Sequence, residues 1–256
     1  MRKNNFDITV KNILKHKNKL IWIEKIKEII QNIMDTDYTE NKAYKIIYQL
    51  KNRWYLVNLK KSIFLVKDPD KEYSEEQLLE NFYREILKKH CKDFTEWKRY
   101  IWWLKALELN LTNYDIPEEI LVVNEKKQSN ETIIFSKQII LKTYESDKKS
   151  LFNIFNRFTK KIYIWKNVFP IANIELAMLE SLYNTSIINK WYVEELIKKI
   201  LRKQKKTLNF EVFEQVLRNN KHHSSINRLY KLSLWIDPDI SEKLKNLIKK
   251  FSYFIN

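Results

Sequence analysis

The 256 residues are 44% hydrophobic and 14% aromatic, enough for two ordinary domains with real cores, and this excludes a disordered chain. With 48 Lys and Arg against 32 Asp and Glu, the net charge of +16 calls for a polyanionic partner, nucleic acid or an anionic membrane surface. Glycine is absent, which excludes the usual forms of the Walker A loop, the dinucleotide fingerprint, the kinase Gly-rich loop and the nucleophile elbow, all of which need it.

Asn5 to Lys17 carries Phe6, Val10, Ile13 and Leu14 at helical spacing and is expected to form the first helix. Trp22, Ile23, Ile26, Ile29, Ile30 and Ile33 make a continuous stripe for a second, with Glu24, Lys25, Lys27 and Glu28 on its wet side. After the polar turn Asp35 to Tyr38, Thr39 is placed to cap a third helix. There Ala43, Ile46, Ile47 and Leu50 fall on one buried face, which fixes what lies opposite. The outer face carries Asn41, Lys45, Tyr48 and Asn52, flanked by Lys42 and Gln49. These amides, cations and a phenol can bond base edges or phosphates, and no carboxylate on that face repels a nucleic-acid backbone. Two β-rich runs follow, Trp54 to Leu59 and Ser62 to Val66, with Lys60 and Lys61 at the tip of a tight hairpin. A helix, turn, helix and hairpin in this order is the layout of a winged helix-turn-helix. Thr39, Asn41, Lys42, Lys45, Tyr48, Gln49, Asn52, Lys60 and Lys61 are its candidate DNA-binding residues. Lys67-Asp68-Pro69-Asp70 closes the module, because Pro stops strand pairing and the charges favour solvent. Residues 1–70 hold 15 Lys and Arg against 8 Asp and Glu, leaving 33 against 24 in the other 186, so the basic charge is denser in the first part.

Residues 71–256 are read as a mixed α/β domain with a helical C-terminal part. Ser74 and Gln77 form a capping box for a helix to about His90, and a second helix is expected from about Thr95 to Leu111. The Trp97, Tyr100, Trp102 and Trp103 set within it could stack bases, but aromatics at helical spacing are more often core. Strands are expected at 120–124, 132–135, 139–144 and 161–165. After Pro170, Asn173 caps a helix to Asn184. The remainder reads as helices at 191–204, 210–219, 224–235 and 241–254, with Pro238 between the last two.

With these elements placed, the chain resembles the AbiEi family, antitoxins and transcriptional regulators of AbiE-type abortive-infection systems. The likeness rests on NRWYLVNLKKSIFLV, on RYIWWLKALELNL followed by IPEEILVV, and on FPIANIELAMLESLY. It implies an antitoxin that binds double-stranded DNA at its own promoter and represses its own operon, while the missing Gly-rich loops and the lack of a metal cluster separately lead to the expectation of no enzymatic activity and no cofactor. It also implies action against a nucleotidyltransferase-like toxin, often without a stable complex. The family usually has Gly at the wing turn and in the middle helix, where this chain has Trp54, Lys61 and Trp103.

Other chemistry is thinner. His16, His90, His222 and His223 have no second ligand at metal-site spacing, so no metal is expected, and the single Cys91 suits a reducing compartment. No apolar segment follows the basic start, and no long uncharged apolar run occurs, so a cytoplasmic protein is expected. Glu125, Lys126 and Lys127 give a weak version of an Mg-dependent nuclease pattern, which stays open beside a non-catalytic RNA-binding reading. The basic run Lys198, Lys199, Arg202, Lys203, Lys205 and Lys206 reads as a solvated face or a secondary phosphate contact, and Asn227 and Arg228 read the same way.

Overall fold

The computed structural model describes all residues except 1–2, 61, 73, 96–97, 126–129, 135–136, 144, 147–148, 151, 165–166, 184–188, 220–221 and 254–256. The fold is α+β, in two compact units, Met1–Arg84 and Glu85–Asn256. The first unit therefore takes in the first half of the helix after residue 70 as well as residues 1–70.

The first unit runs α1 (Lys3–Leu14), β1 (Leu20–Trp22), α2 (Ile23–Met34), α3 (Glu40–Asn52), β2 (Leu56–Lys60) and β3 (Ile63–Val66). The apolar spacing that marks the helices is the spacing that is buried. Ile13 of α1, Ile26 and Ile30 of α2, and Ala43, Ile46 and Leu50 of α3 share one core. β3 lies between β1 and β2, antiparallel to both, with Leu65 opposite Leu20 on one side and Val57 on the other. Trp22, which the apolar stripe assigns to the second helix, closes β1 instead, a strand with no signal of its own in the sequence. Three residues are too few to show alternation, and the strand exists through its pairing with β3.

Asp68 also departs from expectation. Its side chain is buried rather than solvated, 5% exposed. Asn18, which turns the chain after α1 at a left-handed φ of 61°, donates its amide to the Asp68 carboxylate at 3.3 Å. Lys17 approaches the same carboxylate at 3.5 Å and the Asp70 N–H at 3.4 Å. Burial pushes the Asp68 acid up, but these three donors outweigh it and hold the group below its ordinary value.

The second unit begins within α4 (Glu75–Thr95), whose capping box is formed. The Ser74 N–H donates to Gln77 Oε1 at 3.1 Å and the Gln77 N–H to Ser74 Oγ at 3.2 Å. Then come β4 (Arg99–Ile101), α5 (Trp103–Asn110), β5 (Glu119–Asn124), β6 (Asn130–Ile134), β7 (Lys137–Thr143), β8 (Glu145–Ser146), β9 (Lys149–Ser150) and the short α6 (Phe152–Phe155). β10 (Thr159–Ile164), β11 (Asn167–Ala172), α7 (Ile174–Tyr183), α8 (Lys190–Lys203), α9 (Phe210–Leu217), α10 (His223–Ser233) and α11 (Pro238–Lys250) complete it. Six strands form one mixed sheet in the order β10-β11-β4-β5-β7-β6, and β8 pairs with β9 apart from it.

Several expectations are corrected here. Residues 95–111 are not one helix, because Arg99–Ile101 pair with β5 as a strand and Trp103 opens α5 from a left-handed φ of 56°. Tyr100, Trp102 and Trp103 are core, while Trp97 lies outside the described residues. Pro170 sits inside β11, where β10 pairs along its length and β4 pairs only at Ile171. Pro238 occupies the first turn of α11, and Asp237 caps it by accepting the Asp239 and Ile240 N–H groups, each at 3.1 Å. α7, capped by Asn173 at 3.0 Å, is buried on every side from Ile174 to Leu182 rather than on one face.

Without glycine, left-handed turns are made by residues that carry a Cβ. Among the described residues Trp54, Ser62, Trp103 and Thr112 have φ of 60°, 70°, 56° and 63°. A β-branched residue there is disfavoured most. Thr112 is exposed, and its hydroxyl donates only to the Leu111 carbonyl. Thr112→Gly is expected to raise stability by about 1 kcal/mol, measured by urea unfolding. No change, or a loss, would contradict the strain.

Since folding lowers the Asp68 acid from its ordinary 3.8, its stabilisation is in place above that value and is lost as pH falls through the lower folded value. Asp68→Asn should therefore lower the thermal midpoint at pH 7. The gap from the parent protein should close below about pH 4. A gap independent of pH would place the effect in packing instead.

Candidate functional site

The surface that brings together the sequence-selected side chains is α3 and the hairpin after it. Thr39 caps the helix, its hydroxyl oxygen accepting the Lys42 N–H at 3.3 Å, so this oxygen is already engaged at the helix start. The Lys42 ammonium donates to the Asp37 carbonyl at 2.9 Å, which also ties it to the preceding turn. Asn41, Lys45, Tyr48, Gln49 and Asn52 are exposed, as Lys42 is. Lys60 closes β2 opposite Ile63, after a register shift between Asn58 and Lys60, and Ser62 completes the turn at φ 70°. Lys61 lies outside the described residues.

The structure adds residues that the sequence reading did not select. An open cavity of about 600 Å³ runs beside α3. Its apolar wall is Ile23 from the start of α2, Ile47 from α3 and Phe64 from β3. Tyr44 and Tyr48 supply phenols, and Lys45, Gln49 and Lys51 supply the polar groups. No carboxylate is among these described lining residues. Tyr44, Ile47, Tyr48 and Lys51 follow the i, i+3, i+4, i+7 rule, so a second stripe was there to be read. Ile23 and Phe64 are distant in sequence, and nothing local brings them in.

One wall of the cavity is held in place. Lys27 of α2 donates to Glu40 at 2.6 Å and to the Tyr44 hydroxyl at 3.0 Å, and its ammonium lies 4.3 Å from the Tyr44 ring centre. The Glu40 bond first, then the Tyr44 bond, raises the Lys27 pKa, so this lysine stays charged. Glu40, the acidic residue nearest the candidate face in sequence, is thereby neutralised.

Glu125 is paired with Lys98 at 2.6 Å, and that bond holds its acid below the ordinary value, while Lys126 and Lys127 lie outside the described residues. No group of three or more His, Cys, Asp or Glu able to hold a metal occurs among the described residues. Glu180 is fully enclosed in α7, and burial raises its acid well above the ordinary range although the Tyr100 hydroxyl donates to it at 2.9 Å. In the basic run Lys198 pairs with Glu195 at 2.8 Å and Lys205 with Asp237 at 3.0 Å, whereas Arg202, Lys203 and Lys206 are exposed. Asn227 is buried and donates to the His223 carbonyl one turn earlier in α10, so it is no surface contact, while Arg228 is exposed and its guanidinium donates to the Leu182 carbonyl of α7 at 2.6 Å.

No family model and no curated protein matches the chain. Among solved structures, the crystal structure of the RV2827C protein from Mycobacterium tuberculosis is similar, with a TM-score of 0.59 over 96% of this chain and 81% of that one. The two are 10% identical, so the likeness defines a shared α+β fold and no more.

Proposed function

We propose that the protein is a DNA-binding antitoxin that represses its own promoter, with a winged helix-turn-helix in residues 1–70 and the antitoxin function in residues 71–256. The observation that carries the DNA-binding half is the exposed outer face of α3, rich in amides and lysines and free of carboxylates, running directly into the β2–β3 hairpin. The order α1, β1, α2, α3, β2, β3 with the sheet order β1-β3-β2 supports that reading, because it sets a helix and a hairpin side by side on one small core. The antitoxin half rests on the AbiEi resemblance and names a nucleotidyltransferase-like toxin as the functional partner. No described helix is long and apolar enough to cross a membrane.

Phosphate contacts and base contacts separate in the assay. Replacing Lys60 and Lys61 by Ala should weaken binding to every duplex and make the salt slope shallower by about 0.9 per lost phosphate contact. Asn41→Ala or Gln49→Ala should instead cost about 1 to 3 kcal/mol of discrimination at one base position. Native-like promoter affinity in the double lysine variant would remove the hairpin from the interface.

The division of labour is tested with the whole chain. Co-expressed with the product of the neighbouring gene, the Lys60/Lys61 double variant should still protect growth while promoter output rises. Loss of protection together with repression, or a neighbour that is harmless by itself, would leave a DNA-binding regulator without antitoxin activity.

A further inference from the structure

The cavity beside α3 has a size and lining that contacts to paired bases do not use. Open on its outer side and about 600 Å³ in volume, it has room for a flat ring, whereas a base inside a duplex offers only its edge. Ile23, Ile47 and Phe64 give it an apolar floor against which a flat ring would lose water. Tyr48 is 63% exposed, so its phenol face remains available for stacking at the mouth. Lys45 and Lys51 contribute positive charge with no carboxylate among the described lining residues, which suits a phosphate beside that ring. The Gln49 amide can both donate to and accept from a base edge. Tyr44 is fixed by Lys27, so this wall exists before any ligand arrives.

We propose that this cavity receives one unpaired nucleotide of a bound DNA strand, its base over the Ile23–Ile47–Phe64 floor against Tyr48 and its phosphate at Lys45 and Lys51. This inference rests on the nucleic-acid reading of α3 and goes beyond it, because a duplex-only interface needs no base out of the stack. A base already unpaired by a mismatch costs less to extrude, so it binds more tightly.

The test is anisotropy titration of the full chain with a promoter duplex, fully paired or carrying one mismatch stepped through the bound site. At one position the mismatched duplex should bind about tenfold more tightly than the paired one. Tyr48→Ala should bring that ratio to about 1, whatever it does to each affinity, and Tyr48→Phe, which keeps the ring, should preserve it. Equal affinity at every mismatch position, or a ratio that survives Tyr48→Ala, overturns the proposal while leaving duplex binding intact. Competition by free mononucleotide as effective as by the mismatched strand would make the cavity a small-molecule site and also overturn it. Binding to neither duplex would remove the nucleic-acid reading itself.

Discussion

Burial of Ala43, Ile46, Ile47 and Leu50 on one side of α3 decides what the first unit presents to water. Fully burying an Ile or Leu side chain is worth roughly 1.5–3 kcal/mol, so rotating the helix to hide Asn41 or Lys45 would forfeit several times the worth of any exposed polar contact. The orientation of the outer face is thus a consequence of the core, which Phe6, Ile13, Ile26 and Ile30 complete from α1 and α2. The Lys27–Glu40–Tyr44 cluster then trims that surface, neutralising an acid and fixing one aromatic wall.

How much of this could be read from sequence depends on whether its cause was local. The α3 face and the Thr39, Ser74 and Asn173 caps depend on residues within one or two turns, and all were legible. β1 and β4, three residues each, exist because of partners far along the chain, and a period cannot be seen in three residues. β11 was hidden by Pro170, a residue that ordinarily speaks against an inner strand. Asp68 and Glu180 look like solvent residues in sequence, and only the assembled fold shows that one is clamped by donors and the other enclosed. The cavity beside α3 belongs to the same class, since its floor joins α2, α3 and β3.

The lack of glycine leaves its mark on the backbone. At Trp54 and Trp103, where the resemblance leads one to expect glycine, the chain still takes left-handed φ values of 60° and 56°. Each such position, where a Cβ stands in a region that suits glycine, carries strain of order 1–3 kcal/mol. At Trp103 the buried indole offsets this by packing against Trp102, with ring centres 4.5 Å apart. Trp54 is mostly exposed, with the Lys67 ammonium 5.8 Å from its ring centre. These left-handed turns are therefore held by the structure packed around them rather than by residues suited to them.

The proposed DNA binding places the contact on α3 and the β2–β3 hairpin. Hydrogen exchange of the intact protein, measured with and without a duplex of its own promoter, tests this directly. Slowed exchange confined to α3 and the β2–β3 hairpin, reversed by raised salt, is the predicted result. Slowed exchange around Arg202, Lys203 and Lys206 with α3 unchanged would contradict it and move the interface to the second unit.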